Sequence, residues 1–254
     1  MERRGFSLES EGFNLAGEVY VPRRQPSPAL CLCHGIPRGT PPDPSDRGYP
    51  FLAERFARAG FLTAVFNFRG TGNSGGNFDM LGWTRDLESV IGYLCTMKEV
   101  EREKVSLMGF SGGAAVSAYV AAQDQRVSSL ILCSCPAQFR LAIDRERAEA
   151  MIDHFREVGI IRDPGFPTST EAWLDGFRHL MPIRCIDGIA PRPLLIIHGT
   201  KDDVVDPRDA WALYEKAGQP KDIVMIEEAG HRLRIDDRAM EAALRWLQTQ
   251  SGQD

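Results

Sequence analysis

Lys104-Val105-Ser106-Leu107-Met108-Gly109-Phe110-Ser111-Gly112-Gly113-Ala114-Ala115-Val116-Ser117-Ala118-Tyr119-Val120-Ala121-Ala122 is the stretch that decides the fold. It opens with an apolar run of strand length and closes with small apolar residues suited to a buried helix. Between the two, a serine stands among glycines. A serine pinned at a strand-to-helix turn is held out at the top of a sheet, where it can act as a nucleophile. The pentapeptide pattern is weak on its own, and the chain carries a second copy, Gly72-Asn73-Ser74-Gly75-Gly76. Context separates them. Ser74 also follows a strand-like run, but Asn77 to Gly82 reads as loop. It therefore lacks the helix N-terminus whose free N–H groups favour developing negative charge. The second copy is expected to be a glycine-rich supporting loop.

Strand-like and helix-like segments alternate on both sides of this stretch. Phe6 to Ser10 and Asn14 to Val21 read as an opening hairpin that stops at Pro22, and Ala29 to His34 as a third strand. A Pro- and Gly-rich loop, Ile36 to Gly48, leads to a helix over Tyr49 to Ala59. Phe61 to Phe68 is a strand, Trp83 to Met97 a helix, and Val127 to Ser134 a strand after the serine helix. Roughly fifty charged, helix-like residues follow Pro136, and we read them as an insertion. The pattern resumes with a strand at Pro193 to Gly199, a helix from Pro207, a strand at Lys221 to Glu227 and a helix over Asp236 to Thr249. Such alternation predicts an α/β fold, with a mostly parallel sheet of about eight strands and helices on both faces.

At 254 residues and 43% hydrophobic, the chain can bury a large core. A net charge of −5 and a pI near 5.6 argue against a nucleic-acid surface. The N-terminal residues carry charge with no apolar run behind them, and no stretch is long enough to span a membrane. A cytoplasmic location is the expectation. Cys31-x-Cys33 and Cys133-x-Cys135 fall inside or at the end of apolar runs. They read as small buried hydrophobes with both thiols of a pair on one strand face, and Cys135 as the thiol nearest a pocket.

A serine hydroxyl needs a base, and the base needs a carboxylate to fix its tautomer. Of the five histidines, His231 follows the last predicted strand directly. His198 lies inside the preceding strand run and reads as a packed strand-end residue, while His154 and His179 fall in the insertion. The loop Gly199 to Pro207 offers Asp202, Asp203 and Asp206. Asp206 precedes Pro207 as a helix cap would. Spacing alone leaves Asp202 and Asp203 open. Donors for an oxyanion are expected from the backbone N–H of Gly112 and, in the loop after an earlier strand, of Ile36.

Together these residues resemble the α/β-hydrolase superfamily. His34-Gly35, Arg69-Gly70-Thr71-Gly72-Asn73-Ser74, Gly109 to Gly113, His198-Gly199-Thr200-Lys201-Asp202 and Gly230-His231 occur in the superfamily's order. The resemblance spans nearly the whole chain, read as one hydrolase domain over residues 1–254 with a cap insertion at about 136–190. It implies a serine hydrolase with Ser111, Asp202 and His231 as triad, no metal or organic cofactor, and a small acyl molecule as substrate. It also favours Asp202 as the acid and a structural role for Ser74. The expected reaction is hydrolysis of carboxylic esters, with an acyl peptidase or thioesterase as alternative. A binding protein on this fold would typically have lost a triad residue, and none is missing. Trp173, Phe177 and Met181 are spaced for one helix face of the cap. They either pack it onto the body or wall an acyl pocket. Arg38, beside the oxyanion loop, is a candidate contact for an anionic substrate group, or a solvated loop residue.

Overall fold

In the computed structural model, which describes residues 1–39, 46–139 and 145–252, eight strands form one sheet. The strands are β1 Glu2–Ser10, β2 Phe13–Val21, β3 Ser27–Cys33, β4 Leu62–Phe66, β5 Val100–Phe110, β6 Val127–Cys133, β7 Leu194–Gly199 and β8 Lys221–Ile226. Their order is β1-β2-β4-β3-β5-β6-β7-β8. The β1–β2 hairpin joins the rest antiparallel to β4, and every pairing from β4 to β8 is parallel. The parallel strands β3, β4 and β7 are buried throughout. A parallel sheet covered on both faces has no solvent side on which to place polar residues.

Helices α1 Gly48–Arg58, α2 Met80–Thr96, α3 Gly112–Gln123, α4 Arg145–Val158, α5 Thr170–His179, α6 Pro207–Lys216 and α7 Asp237–Ser251 complete the chain. Two apolar layers enclose the sheet. One gathers Leu52 and Phe56 of α1, Met240 and Leu247 of α7, and Ile131 and Ile197 of the strands. The other gathers Trp83 and Leu87 of α2, Val116 of α3 and Leu213 of α6, with Leu130 and Leu132 from the opposite face of β6. Ile152 and Phe155 of α4 and Trp173 and Phe177 of α5 belong to this second layer, so the segment between β6 and β7 is anchored over α2.

The helix α2 starts three residues earlier than its apolar pattern suggests. Asp79 caps it, accepting hydrogen bonds from Leu81 and Gly82 N–H. Gly82 sits inside the first turn because a Cβ there would stand 2.6 Å from the Arg69 guanidinium. The cysteines also need one correction. Cys31 and Cys33 do share a face, but Cys133 and Cys135 lie in different layers. The strand ends at Cys133, and Ser134 turns the chain at φ 48°, which breaks the alternation. Cys135 is fully buried rather than at a pocket.

The sheet also determines where a ligand can sit. From β3 the chain moves outward to β4, then returns to β5 and runs outward the other way through β6, β7 and β8. The loops after β3 and β5 therefore leave in opposite directions and open a crevice at the carboxyl ends of the strands. Ile36 follows β3 and Ser111 follows β5.

Candidate active site

Ser111 joins β5 to α3 with φ 53° and ψ −122°. Positive φ is costly for a residue with a Cβ, so the turn must be held from outside. It is held tightly. Ser111 N–H donates to Cys133 C=O at 2.9 Å, and the Ser111 carbonyl accepts from Ala114 and Ala115 N–H. A Cβ on Gly109 would stand 2.5 Å from Ala114 Cα, and one on Gly113 would overlap the carbonyl oxygens of Cys33 and His34. The two glycines thus let α3 dock against the ends of β3 and β5.

The loop after β3 presses on this elbow. A Cβ on Gly35 would lie 3.1 Å from Ser111 Cβ, and one on Gly112 would lie 3.6 Å from Ile36 N. The structure therefore brings together Ser111, Gly112 and the Ile36 amide. His34 fixes the root of that loop. Its Nδ1 lies 2.8 Å from Gly35 O, so it donates there, and its Nε2 accepts from Phe68 N–H. The ring is packed among Tyr49, Phe68 and Trp83, and burial lowers its pKa to about 4. This histidine is a neutral strut.

The other groups come from the ends of β7 and β8, whose loops interlock. Lys201 N–H donates to Ala229 C=O at 2.9 Å, Glu228 N–H donates to Thr200 Oγ1, and Ser134 Oγ donates to His231 C=O. Of the two aspartates that spacing leaves open, Asp202 is the one that reaches His231. Its Oδ1 and Oδ2 lie 3.0 and 2.9 Å from His231 Nδ1. Asp203 stays exposed at the cavity rim, and Asp206 caps α6 by accepting from Arg208 N–H.

Asp202 Oδ1 also accepts from Val204 and Val205 N–H. Burial, the largest influence on this carboxyl, works to raise its pKa. Hydrogen bonds from His198, His231 and Val205 N–H, together with the attraction of His231, outweigh burial, so the group stays ionised well below the usual carboxylate range. Nδ1–H is thereby committed to Asp202, which leaves Nε2 as the nitrogen able to take a proton.

Ser111, His231, Ile36 and Asp203 line one cavity of about 1100 Å³, together with Tyr49, Phe110, Val158, Val204 and Leu233. Arg38 is exposed on its wall. Arg234 sits over the Tyr49 ring and pairs with Asp46. The expected entrance loop, Ile36 to Gly48, lies partly outside the described residues, at 40–45, as do residues 140–144 of the insertion. Among the described residues, no three His, Cys, Asp or Glu side chains converge as metal ligands.

The insertion aromatics are placed elsewhere. Trp173 and Phe177 are each 3% exposed, and Trp173 Nε1 donates to Phe78 C=O. Their rings pack edge-on against Phe78 and each other. Neither these two nor Met181 is among the residues lining the cavity. The helix face that could have walled a pocket packs α5 onto the body instead. The contact that sequence reasoning missed is between His198 and Asp202, four residues apart and 3.2 Å from Nε2 to Oδ2.

Comparison with known proteins now has a geometry to stand on. The sequence model of the prolyl oligopeptidase family matches residues 49–254. The chain belongs to that family. It is an α/β-hydrolase of the serine hydrolase superfamily, with the fold expected from sequence. The uncharacterized protein YfhR of Salmonella typhi is 30% identical over 169 residues, covering 66% of this chain and 53% of that protein. The chain thus spans about half the length of such curated relatives. Among solved structures, DcsB in complex with its substrate analogue superposes with TM-score 0.78 at 20% identity, covering 99% of this chain and all of DcsB. The esterase domain of a Rhodothermus marinus protein gives TM-score 0.67 at 19% identity, covering 98% of this chain and 99% of the domain. No described helix is long and apolar enough to cross a membrane.

Proposed function

We propose that this protein hydrolyses carboxylic esters through an acyl-enzyme intermediate, with Ser111 as nucleophile, His231 as general base and acid, and Asp202 as the carboxylate that orients it. The observation that carries this reading is the contact of buried Asp202 with His231 at 2.9 Å, His231 lining the same cavity as the strained Ser111. In the first step Ser111 Oγ bonds to the carbonyl carbon as its proton passes to His231 Nε2. The carbonyl oxygen becomes an oxyanion facing the Gly112 and Ile36 amides. Collapse breaks the bond to the alcohol, which leaves with the proton from His231. Water then repeats the sequence, releasing the acid and restoring Ser111.

Esters are the less demanding substrates for such a site. An alcohol departs with modest help, whereas an amine leaves only once it is protonated in the transition state. The likeness to the Rhodothermus esterase domain supports the same choice. Membership of the prolyl oligopeptidase family favours a second reading, acyl peptidase activity on the same groups. The test compares p-nitrophenyl acetate, butyrate and octanoate with aminoacyl anilides and acyl-CoA. Ester turnover above the other two, abolished in Ser111→Ala, is expected. Ester turnover at background with clear anilide cleavage would overturn the ester assignment in favour of the peptidase.

A further inference from the structure

We propose that His198 is a positioning residue that locks the Asp202 carboxylate in the orientation His231 requires. The proposal rests on the triad reading above. His198 stands near the carboxyl end of β7, and its ring is fully buried. Its Nε2 lies 3.0 Å from Val205 O and 3.2 Å from Asp202 Oδ2. A carbonyl oxygen can only accept, so Nε2 carries a proton. Nδ1 is buried with no hydrogen-bond partner among the described residues. Nε2–H is therefore the donor that this ring presents to its surroundings. Nε2 donates to Val205 C=O, and the same nitrogen stands 3.2 Å from Asp202 Oδ2.

The ring completes the surroundings of the carboxylate. Oδ1 is held by two amides of its own loop, Val204 and Val205. Among the described residues, Oδ2 faces the two histidines, and His231 Nδ1 also reaches Oδ1. Without His198, the side of the carboxylate away from the loop amides keeps a single partner, the very ring it has to orient. The Val205 peptide would also lose the ring that ties its carbonyl to the end of β7. A carboxylate that can swing about its Cβ–Cγ bond holds His231 less firmly and displaces Nε2 from the line to Ser111. Misplacement of this kind acts on the chemical step and leaves substrate binding alone.

Three variants test the proposal. His198→Met fills the space without a donor, His198→Asn carries an amide that stops near the Nδ1 position, and His198→Gln carries one that reaches the Nε2 position. With p-nitrophenyl butyrate, the Met and Asn variants are expected to lose roughly 10- to 100-fold in kcat with KM within threefold, as displacement of a reacting group does. The Gln variant is expected to recover most of that loss. The downfield proton resonance of His231 Nδ1–H should move in the Met and Asn variants and stay in place in the Gln variant. Wild-type kcat and an unmoved resonance in folded Met protein would overturn the proposal. So would equal losses in the Gln and Asn variants, or activity that merely follows melting temperature. Should the Met protein fail to fold, the Gln–Asn comparison alone decides. Labelling by a fluorophosphonate keeps the two readings apart. Wild-type protein that is not labelled at Ser111 brings down the triad and this proposal together. A labelled wild type with insensitive His198 variants brings down only the latter.

Discussion

The chain contains the same five-residue pattern twice, and the two copies do opposite things. Ser111 is forced into a left-handed turn at the mouth of a cavity, with a helix behind it. Ser74 is fully buried and spends its hydroxyl on the backbone, accepting from Ala16 N–H and donating to Asn67 C=O. It binds β2 to the loop after β4. Arg162 of the insertion clamps the same loop through the carbonyls of Gly72 and Ser74. A glycine-flanked serine thus lines a cavity or holds the backbone according to where the fold places it. The pattern itself does not decide.

That contrast can be broken most sharply at Ser111. Ser111→Ala should reduce ester turnover to background, a loss on the order of 10⁶ in kcat, while the melting temperature stays at or above wild type. Activity surviving in this variant would remove the distinction between the copies. Asp202→Asn should cost on the order of 10⁴ in kcat with KM little changed, because the amide stabilises the wrong tautomer of His231. Full activity there, with loss in Asp203→Asn, would move the acid to the rim.

On the structural side the expected effects fall on stability. Trp173→Ala should destabilise by about 3–5 kcal/mol in denaturant titrations, with ester KM within a fewfold of wild type. A selective rise in KM for longer acyl chains would return Trp173 to the pocket. Ser74→Ala should cost about 1–3 kcal/mol through the half-buried Ala16 N–H left without its partner, with kcat nearly unchanged.

The smallest effect concerns His34. Its folded pKa of about 4 lies below the ordinary 6.5, so between these values the unfolded chain binds more protons. Its contribution is complete above about pH 6.5 and is lost as pH falls towards 4. Melting temperature against pH should therefore slope less steeply across this window in His34→Asn than in wild type. Parallel slopes would show that the ring is not the half-buried neutral strut described.

The six parallel strands were legible as apolar runs of strand length, and the β1–β2 hairpin as two strand-like runs ending at Pro22. Boundaries were read less well. Val100–Glu103 extend β5 through partly exposed charged residues, which carry no apolar signal. The start of α2 was hidden by Gly82, whose presence is dictated by Arg69 across space. Within the site, chain order indicated Ser111 and His231, because both follow strands directly. It could not choose between Asp202 and Asp203, since adjacent residues in a turn point in different directions for reasons that spacing does not record. The Trp173–Phe177 face was ambiguous for a related reason. Helical periodicity identifies a buried face without saying whether protein or ligand buries it. His198 was read as packing, and it does pack, but its Nε2 also stands 3.2 Å from Asp202, which only the folded loop brings near.

The interlocked ends of β7 and β8 carry a further consequence. On the proposed reading, acid, base and the ring that steadies them all come from residues 198–231, tied together before any substrate arrives. The oxyanion loop, by contrast, precedes residue 49, where the family match begins. The cavity wall is drawn both from that loop and from the loops after β7 and β8, so the segment that would move the proton also shapes what can enter. A change in either of those two loops therefore touches the shape of the cavity and the support of the base together.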